Sequence, residues 1–422
     1  MKKYFILLVS SLLFGACSSS SDEDEPAPKP ADTRTVLVYM AAENNLDAFS
    51  EYDINEMKEG SKTLSDDDRL IIYCDNQASN KPYLARVKDG QLIDKVEMEE
   101  SLSADPALLE KTLRTVREKY PATSYGLVLW GHANGWLISN DTVKYNQTRA
   151  YGYASSTKGQ YWMNIPSMAR AITNAMGSDR LRFVFADCCE MGCVEVAYEL
   201  RHITDWFIAS PAEIPDSGAP YDAILANLFD RSESFYQGII DTYYNRTTEE
   251  IKKNPNKYYN VKSGDLEGYS LPLAAFKSSE LDNLVQSTAR LLSTIPDKLT
   301  PETGIDFTQA MYYGFSSSQR YAYDMRFMLK RLSGGNGLSD WDADFRKAVP
   351  YSRFSPKWLT AFTASGQLAT DMDDFVNIPT EDCCSVSMFF PASTYKSTKP
   401  NWNTAIQNFQ WNNIIRWQQY GW

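Results

Sequence analysis

Four stretches of this chain are apolar almost without a break and have the length of a strand. Thr35–Ala41 reads TVLVYMA, Arg69–Asp75 RLIIYCD, Tyr125–His132 YGLVLWGH and Leu181–Asp187 LRFVFAD. A strand wetted on one face alternates apolar and polar residues; these do not, so they fit strands covered on both faces. Helical periodicity separates them, over Leu46–Met57 (with Asn44 or Asn45 as cap), Pro106 to about Tyr120, Ile165–Met176 and Met191–Leu200. Apolar strands alternating with helices predict βαβ units and a mostly parallel α/β sheet sandwiched by helices. KPYLARVKDGQLIDKVEM adds a hairpin turning at Asp89-Gly90, and DWFIASP adds a further strand. Beyond it the chain is helix-rich and aromatic, with strands expected near Tyr269–Phe276 and Ser385–Phe390. The reading is an α/β domain over 34–224 and a helix-rich C-terminal subdomain over 225–422 that completes the fold.

The N-terminus stands apart. MKKYFILLVSSLLFGAC carries two lysines, an apolar core from Tyr4 to Phe14 and small residues before Cys17. This is the pattern of an export signal over 1–16, too short for an ordinary membrane span. Gly15-Ala16-Cys17 resembles a bacterial lipoprotein box, which implies cleavage before Cys17 and lipid on that residue. Residues 17–33 are small, acidic and proline-rich, the composition of an extended tether. The expected location is therefore outside the cytoplasm, lipid-anchored to a bacterial outer membrane and facing the cell surface. Net charge is -12, from 54 acidic against 42 basic residues with no basic cluster, which argues against a nucleic-acid partner. A monomer is expected.

Phe183–Leu200, FVFADCCEMGCVEVAYEL, concentrates three of the seven cysteines where a buried strand gives way to a helix. Omitting Cys17, six remain, yet Cys188-Cys189 and Cys383-Cys384 are adjacent. Neighbouring Cα atoms lie only about 3.8 Å apart, so disulfides within those pairs are strained. Zinc wants spaced cysteine pairs or histidines, whereas the chain holds only His132 and His202 and no such spacing. A nucleophile remains. In open α/β sheets, ligands bind outside the carboxyl ends of the strands. One apolar strand ends at His132 and another runs into Cys188-Cys189, so parallel neighbours put imidazole and thiol on one rim. A helix starting just after the cysteine turns its positive dipole end toward it and favours thiolate. Cys74, Cys193, Cys383 and Cys384 read as buried thiols, Cys193 one helical turn beyond Cys189. His202 reads as structural.

At these residues the chain resembles the clostripain family of cysteine peptidases, in the clan of caspases, gingipains and legumains. LVLWGHANGW resembles the family's histidine motif and DCCEMGCVEVAYEL its cysteine motif. TVLVYMAAENNLDAFSEYDINEM, ASPAEIPDSGAPYD and SVSMFFP resemble its opening, a middle segment and its late strand. The resemblance implies a caspase-like fold and a cysteine endopeptidase acting through a His132–Cys189 dyad. Backbone N–H groups of Ala133 and Cys189 would hold the oxyanion. Asp187 takes the place of the acid that lines the specificity pocket, which implies cleavage after Arg or Lys. Two positions depart from the family: Ala133 replaces a glycine with freer backbone angles, and Glu190 replaces an apolar residue, which would alter specificity. The resemblance also implies control by self-cleavage, with Trp136–Met163 (holding Lys144, Arg149 and Lys158) as the activation segment, and a calcium requirement with ligands unassigned. The rival reading is a degenerate, non-cleaving surface lipoprotein that binds peptide or glycan, with Trp402, Trp411, Trp417 and Trp422 as stacking surfaces.

Overall fold

The computed structural model of the chain describes residues 32–422 apart from 77, 80, 139–150, 157–158, 216, 254–267, 317–318, 356, 359, 363–366 and 370–378. The export signal, Cys17 and nearly all of the tether therefore lie outside the described residues. So do Lys144, Arg149 and Lys158.

The first half alternates as the apolar runs predict. Strand β1 (Arg34–Ala42) leads to helix α1 (Asp47–Ser61), and β2 (Asp68–Asn76) to a hairpin of β3 (Tyr83–Lys88) and β4 (Gln91–Glu97). Asp89 and Gly90 both take positive φ, 49° and 80°, the turn that matches the twist of a two-residue hairpin. Helix α2 (Pro106–Lys119), capped by the Asp105 side chain on the Ala107 N–H, precedes β5 (Ser124–Gly131). A small hairpin of β6 (Tyr151–Ser156) and β7 (Gly159–Met163) leads into α3 (Ile165–Met176), β8 (Leu181–Asp187), α4 (Val194–Leu200) and β9 (Thr204–Ala209).

Then come α5 (Tyr221–Leu228), α6 (Phe235–Lys253), β10 (Leu273–Lys277), α7 (Leu281–Ser293), the hairpin β11 (Tyr312–Ser316) and β12 (Gln319–Asp324), α8 (Met325–Ser333), α9 (Leu338–Ala348) and β13 (Tyr351–Arg353).

Nine of these strands make one sheet in the order β13-β10-β9-β8-β5-β1-β2-β3-β4. The centre, β9-β8-β5-β1-β2, is parallel, and both edges are antiparallel. Alternate residues of each strand feed opposite cores. Val36, Val38, Val128, Phe183 and Phe185 pack with α1, α5 and α6, whereas Leu37, Leu127, Leu129, Val184 and Ala186 pack with α2, α3, α4 and α7. Gly126 sits in mid-strand because the Phe183 ring lies across it: a Cβ there would come within 2.3 Å of that ring. The C-terminal stretch completes this architecture, since β10 and β13 extend the same sheet and the segment Ser387–Met388 pairs with β12.

Two expectations need correction. The helix expected over Met191–Leu200 begins only at Val194, because Gly192 is wedged into Ser210-Pro211 and donates its N–H to the Ser210 carbonyl at 2.6 Å, a path no helix follows. The strand expected over Ser385–Phe390 shrinks to two residues, since Ser385 has φ 58° and the Phe389 N–H is taken by the Glu195 side chain.

Candidate active site

The register of the sheet places the two reactive residues. β5 and β8 are parallel neighbours with Trp130 beside Asp187. His132 and Cys189 each lie two residues beyond that pair, so both leave the same rim from adjacent strand tips.

On the histidine side, Gly131 turns the chain with φ 142°, and a Cβ there would press to 3.1 Å from the Ala41 carbonyl. The His132 carbonyl accepts the Gly152 N–H at 2.8 Å, which pins the loop to β6. The imidazole is half-buried, tilted against Trp162 at 6.5 Å, and its Nε2 lies 2.8 Å from the Asn45 side-chain oxygen. An amide oxygen only accepts, so Nε2 carries hydrogen and Nδ1 is the basic nitrogen. Ala133 is buried and is not among the described residues with positive φ, so alanine is accommodated without strain at this place.

On the cysteine side, Cys188 is fully buried in the core, which leaves Cys189 as the half-buried thiol of the pair. The Ile214 N–H points at its Sγ from 3.5 Å. Burial above all, then the Glu213 carboxylate, pushes the Cys189 thiol well above the usual range, against the pull of that N–H. The helix terminus expected just after the cysteine lies five residues beyond Cys189, since α4 starts only at Val194. Cys193 stands at the N-cap position of that helix, without a side-chain capping bond, in the core under Gly135 rather than on a helical face shared with Cys189.

Asp187 points to the opposite face of the sheet from Cys188. It is 2 % exposed and accepts three hydrogen bonds, from Tyr221 Oη (2.8 Å), Tyr243 Oη (3.1 Å) and the Ala219 N–H (3.1 Å). Burial raises its carboxyl above the ordinary range and the three donors oppose this. Gly218, φ 60°, closes over it: a Cβ there would lie 3.2 Å from Asp187 Oδ2 and 2.9 Å from Asp53 Oδ2. Glu190, which stands where the family has an apolar residue, is itself buried, 3 % exposed.

Among the described residues no group of three or more His, Cys, Asp or Glu side chains is arranged to hold a metal ion. The acid runs offer none: Asp66 and Asp68 bind Lys88 and Arg231, and Asp371–Asp374 lie outside the described residues. Trp402, Trp411 and Trp417 are buried and Trp422 half-buried, so they are core rather than a stacking surface.

A profile of the Clostripain family matches residues 38–357. The chain belongs to the clostripain family. It is accordingly a cysteine peptidase with a caspase-like α/β fold. Among solved structures it is similar to a secreted C11 cysteine protease from Bacteroides thetaiotaomicron in complex with an irreversible peptide inhibitor. That pair shares 26% identity over 92% of this chain and 99% of that one, with a TM-score of 0.72. An inactive zymogen C11 protease from Parabacteroides distasonis shares the fold, at 24% identity, the same coverage and a TM-score of 0.68. No curated protein matches the clostripain-family chain significantly.

Asn45 is the residue that sequence reasoning missed. Neither asparagine caps α1, whose N-cap position is Leu46 with no side-chain capping bond; Asn44 accepts the Leu46 N–H at 2.8 Å just ahead of the helix, and Asn45 turns to His132. Tyr321, which reaches the cysteine turn from β12, left no local signal.

Proposed function

We propose that this peptidase cleaves peptide bonds after Arg or Lys, with Cys189 as nucleophile and His132 as its general base and acid. The observation that carries this reading is the β5–β8 register, which brings imidazole and thiol to adjacent strand tips. Burial pushes the Cys189 thiol above its usual range, which supports a start by proton transfer from Cys189 Sγ to His132 Nδ1. Hydrogen bonding to Asn45 orients the ring and fixes its tautomer for that transfer. The thiolate attacks the carbonyl carbon, and the backbone N–H groups of Ala133 and Cys189 receive the oxyanion. His132 protonates the leaving amine, then takes a proton from the water that releases the acyl group.

Asp187 is assigned as the acid that pairs with the basic side chain. In the conformation described it is occupied by two tyrosines and covered by Gly218, so recognition requires the Ser217–Gly218 segment to shift. Self-cleavage within Trp136–Met163 is assigned as the trigger; within that stretch Tyr151 is anchored, its Oη donating to the Tyr39 and Trp130 carbonyls. Export on the 1–16 signal and lipid anchoring at Cys17 place the enzyme outside the cytoplasm, its substrates being proteins or peptides there. The solved relative named as secreted supports export. Among the described residues no helix is long and apolar enough to cross a membrane.

A peptide library with every residue represented before the scissile bond tests the assignment. The expected result is cleavage after Arg and Lys by the wild type and none by Cys189→Ala. Cleavage after other residues overturns the specificity, and an active Cys189→Ala overturns the nucleophile.

A further inference from the structure

Glu190 directly follows Cys189, and its surroundings draw two distant parts of the chain onto one carboxylate and a third onto its backbone. Its backbone is left-handed, φ 58°, and its N–H donates to the Ala212 carbonyl at 2.9 Å. Its side chain receives Tyr321 Oη at 2.9 Å on Oε2 and 3.1 Å on Oε1. The Asn134 side chain, two residues beyond His132, approaches both Glu190 Oε2 and Tyr321 Oη at 3.4 Å.

Two glycines make room for this seat. A Cβ on Gly135, in the histidine loop, would lie 2.5 Å from the Glu190 carbonyl oxygen, and one on Gly314, in β11, would lie 2.6 Å from Oε1. Tyr321 is held in turn by Trp402, ring against ring at 5.4 Å. A residue turned inward like this reads no substrate. It spans from the cysteine turn to the histidine loop, with the β11–β12 hairpin behind it.

We propose that Glu190 is a positioning residue that sets the separation of Cys189 and His132, and that Tyr321 and Gly314 of the C-terminal hairpin build its seat. This rests on the reading of Cys189 and His132 as the reacting pair. A left-handed glutamate is conformationally costly and persists only where its surroundings hold it. Here the Tyr321 hydroxyl, its one proton shared between the two carboxylate oxygens, and the Ala212 bond hold it. Losing them lets the peptide after Cys189 relax and carries the thiol away from the imidazole. The C-terminal half of the chain is then a working part of the site rather than an appendage.

The test uses the full chain with Tyr321→Phe, Glu190→Ala, Glu190→Gln and Cys189→Ala. It measures kcat and KM on a peptide the wild type cleaves, the pH dependence of Cys189 alkylation by iodoacetamide, and folding by circular dichroism. Tyr321→Phe and Glu190→Ala are expected to lower kcat by about tenfold or more with KM within about threefold, the pattern of a lost transition-state geometry. Glu190→Gln keeps an acceptor for Tyr321, so kcat stays within about threefold of wild type. It also removes a negative charge beside the thiol, so alkylation begins at lower pH. If Glu190→Ala fails to fold, Tyr321→Phe, which deletes one oxygen, carries the test.

Unchanged kcat in a folded Tyr321→Phe, with Cys189→Ala inactive, overturns the clamp and leaves the dyad standing. A change confined to KM overturns it too, since it would make Glu190 a substrate-reading residue. An active Cys189→Ala overturns the dyad and the clamp with it.

Discussion

Glu195 in the first turn of α4 makes the stability of this enzyme depend on pH in a calculable way. Its side chain is wholly buried and accepts the Phe389 N–H at 2.7 Å, which fastens the helix after the cysteine turn to the C-terminal segment. Burial lifts its carboxyl from 4.5 to about 7, with the backbone bonds opposing. The folded chain then keeps a proton that the unfolded chain has released. Its contribution to stability is whole below about pH 4.5 and is lost as pH rises through about 7. At about 1.4 kcal/mol per pKa unit, that span corresponds to roughly 3 kcal/mol. Glu195→Gln keeps an oxygen for the Phe389 N–H and cannot ionise. Relative to wild type it should gain roughly 3 kcal/mol between pH 5 and pH 8. With an unfolding entropy near 2.1 cal/mol/K per residue, this is a Tm difference widening by about 3 °C. Asp75, also raised to about 7, titrates in both proteins and cancels in the difference. Scanning fluorimetry of the pair at half-unit steps of pH is the assay. A Tm difference that stays flat from pH 5 to pH 8 refutes the reasoning.

Other outcomes follow from single contacts. Asn45→Ala removes the oxygen on His132 Nε2 and should lower kcat by about tenfold, whereas Asn45→Asp, placing a carboxylate there, should raise the imidazole pKa and move the acidic limb of kcat/KM to higher pH; an unmoved limb contradicts the contact. Gly218→Ala adds a methyl 2.9 Å from Asp53 Oδ2 at a positive φ and should lower stability by about 1–3 kcal/mol, read by chemical denaturation; an unchanged midpoint contradicts the close packing there.

The fold was legible where burial dictated it. The runs TVLVYMA and LRFVFAD hold their few polar residues, Thr35, Arg182 and Asp187, at or near their ends and are apolar between, so a sheet covered on both sides accepts them, and Leu181–Asp187 has the bounds the sequence predicts. Ile165–Met176 likewise has Asn164 and Pro166 at its start and Gly177 at its end, and helix and prediction coincide. Legibility failed where tertiary contacts overrule local preference. MGCVEVAYEL carries helical periodicity from Met191, yet Gly192 belongs to the Ser210–Pro211 contact, and that postponed the helix and removed the dipole from the thiol. Asp187 and Glu190 were identifiable as acids flanking Cys189. Their orientation was not, because the tyrosines that hold them, Tyr221, Tyr243 and Tyr321, arrive from distant elements with no periodic signal.

The most direct test asks whether one sulfur and one imidazole act together. The full chain is treated with a peptidyl alkylating agent ending in Arg or Lys, digested and mapped by mass spectrometry, for the wild type and His132→Ala. We expect modification at Cys189 in the wild type, with the other cysteines untouched, and loss of that modification in His132→Ala. Labelling at Cys188 or Cys193, or labelling of Cys189 that His132→Ala leaves unchanged, contradicts the account.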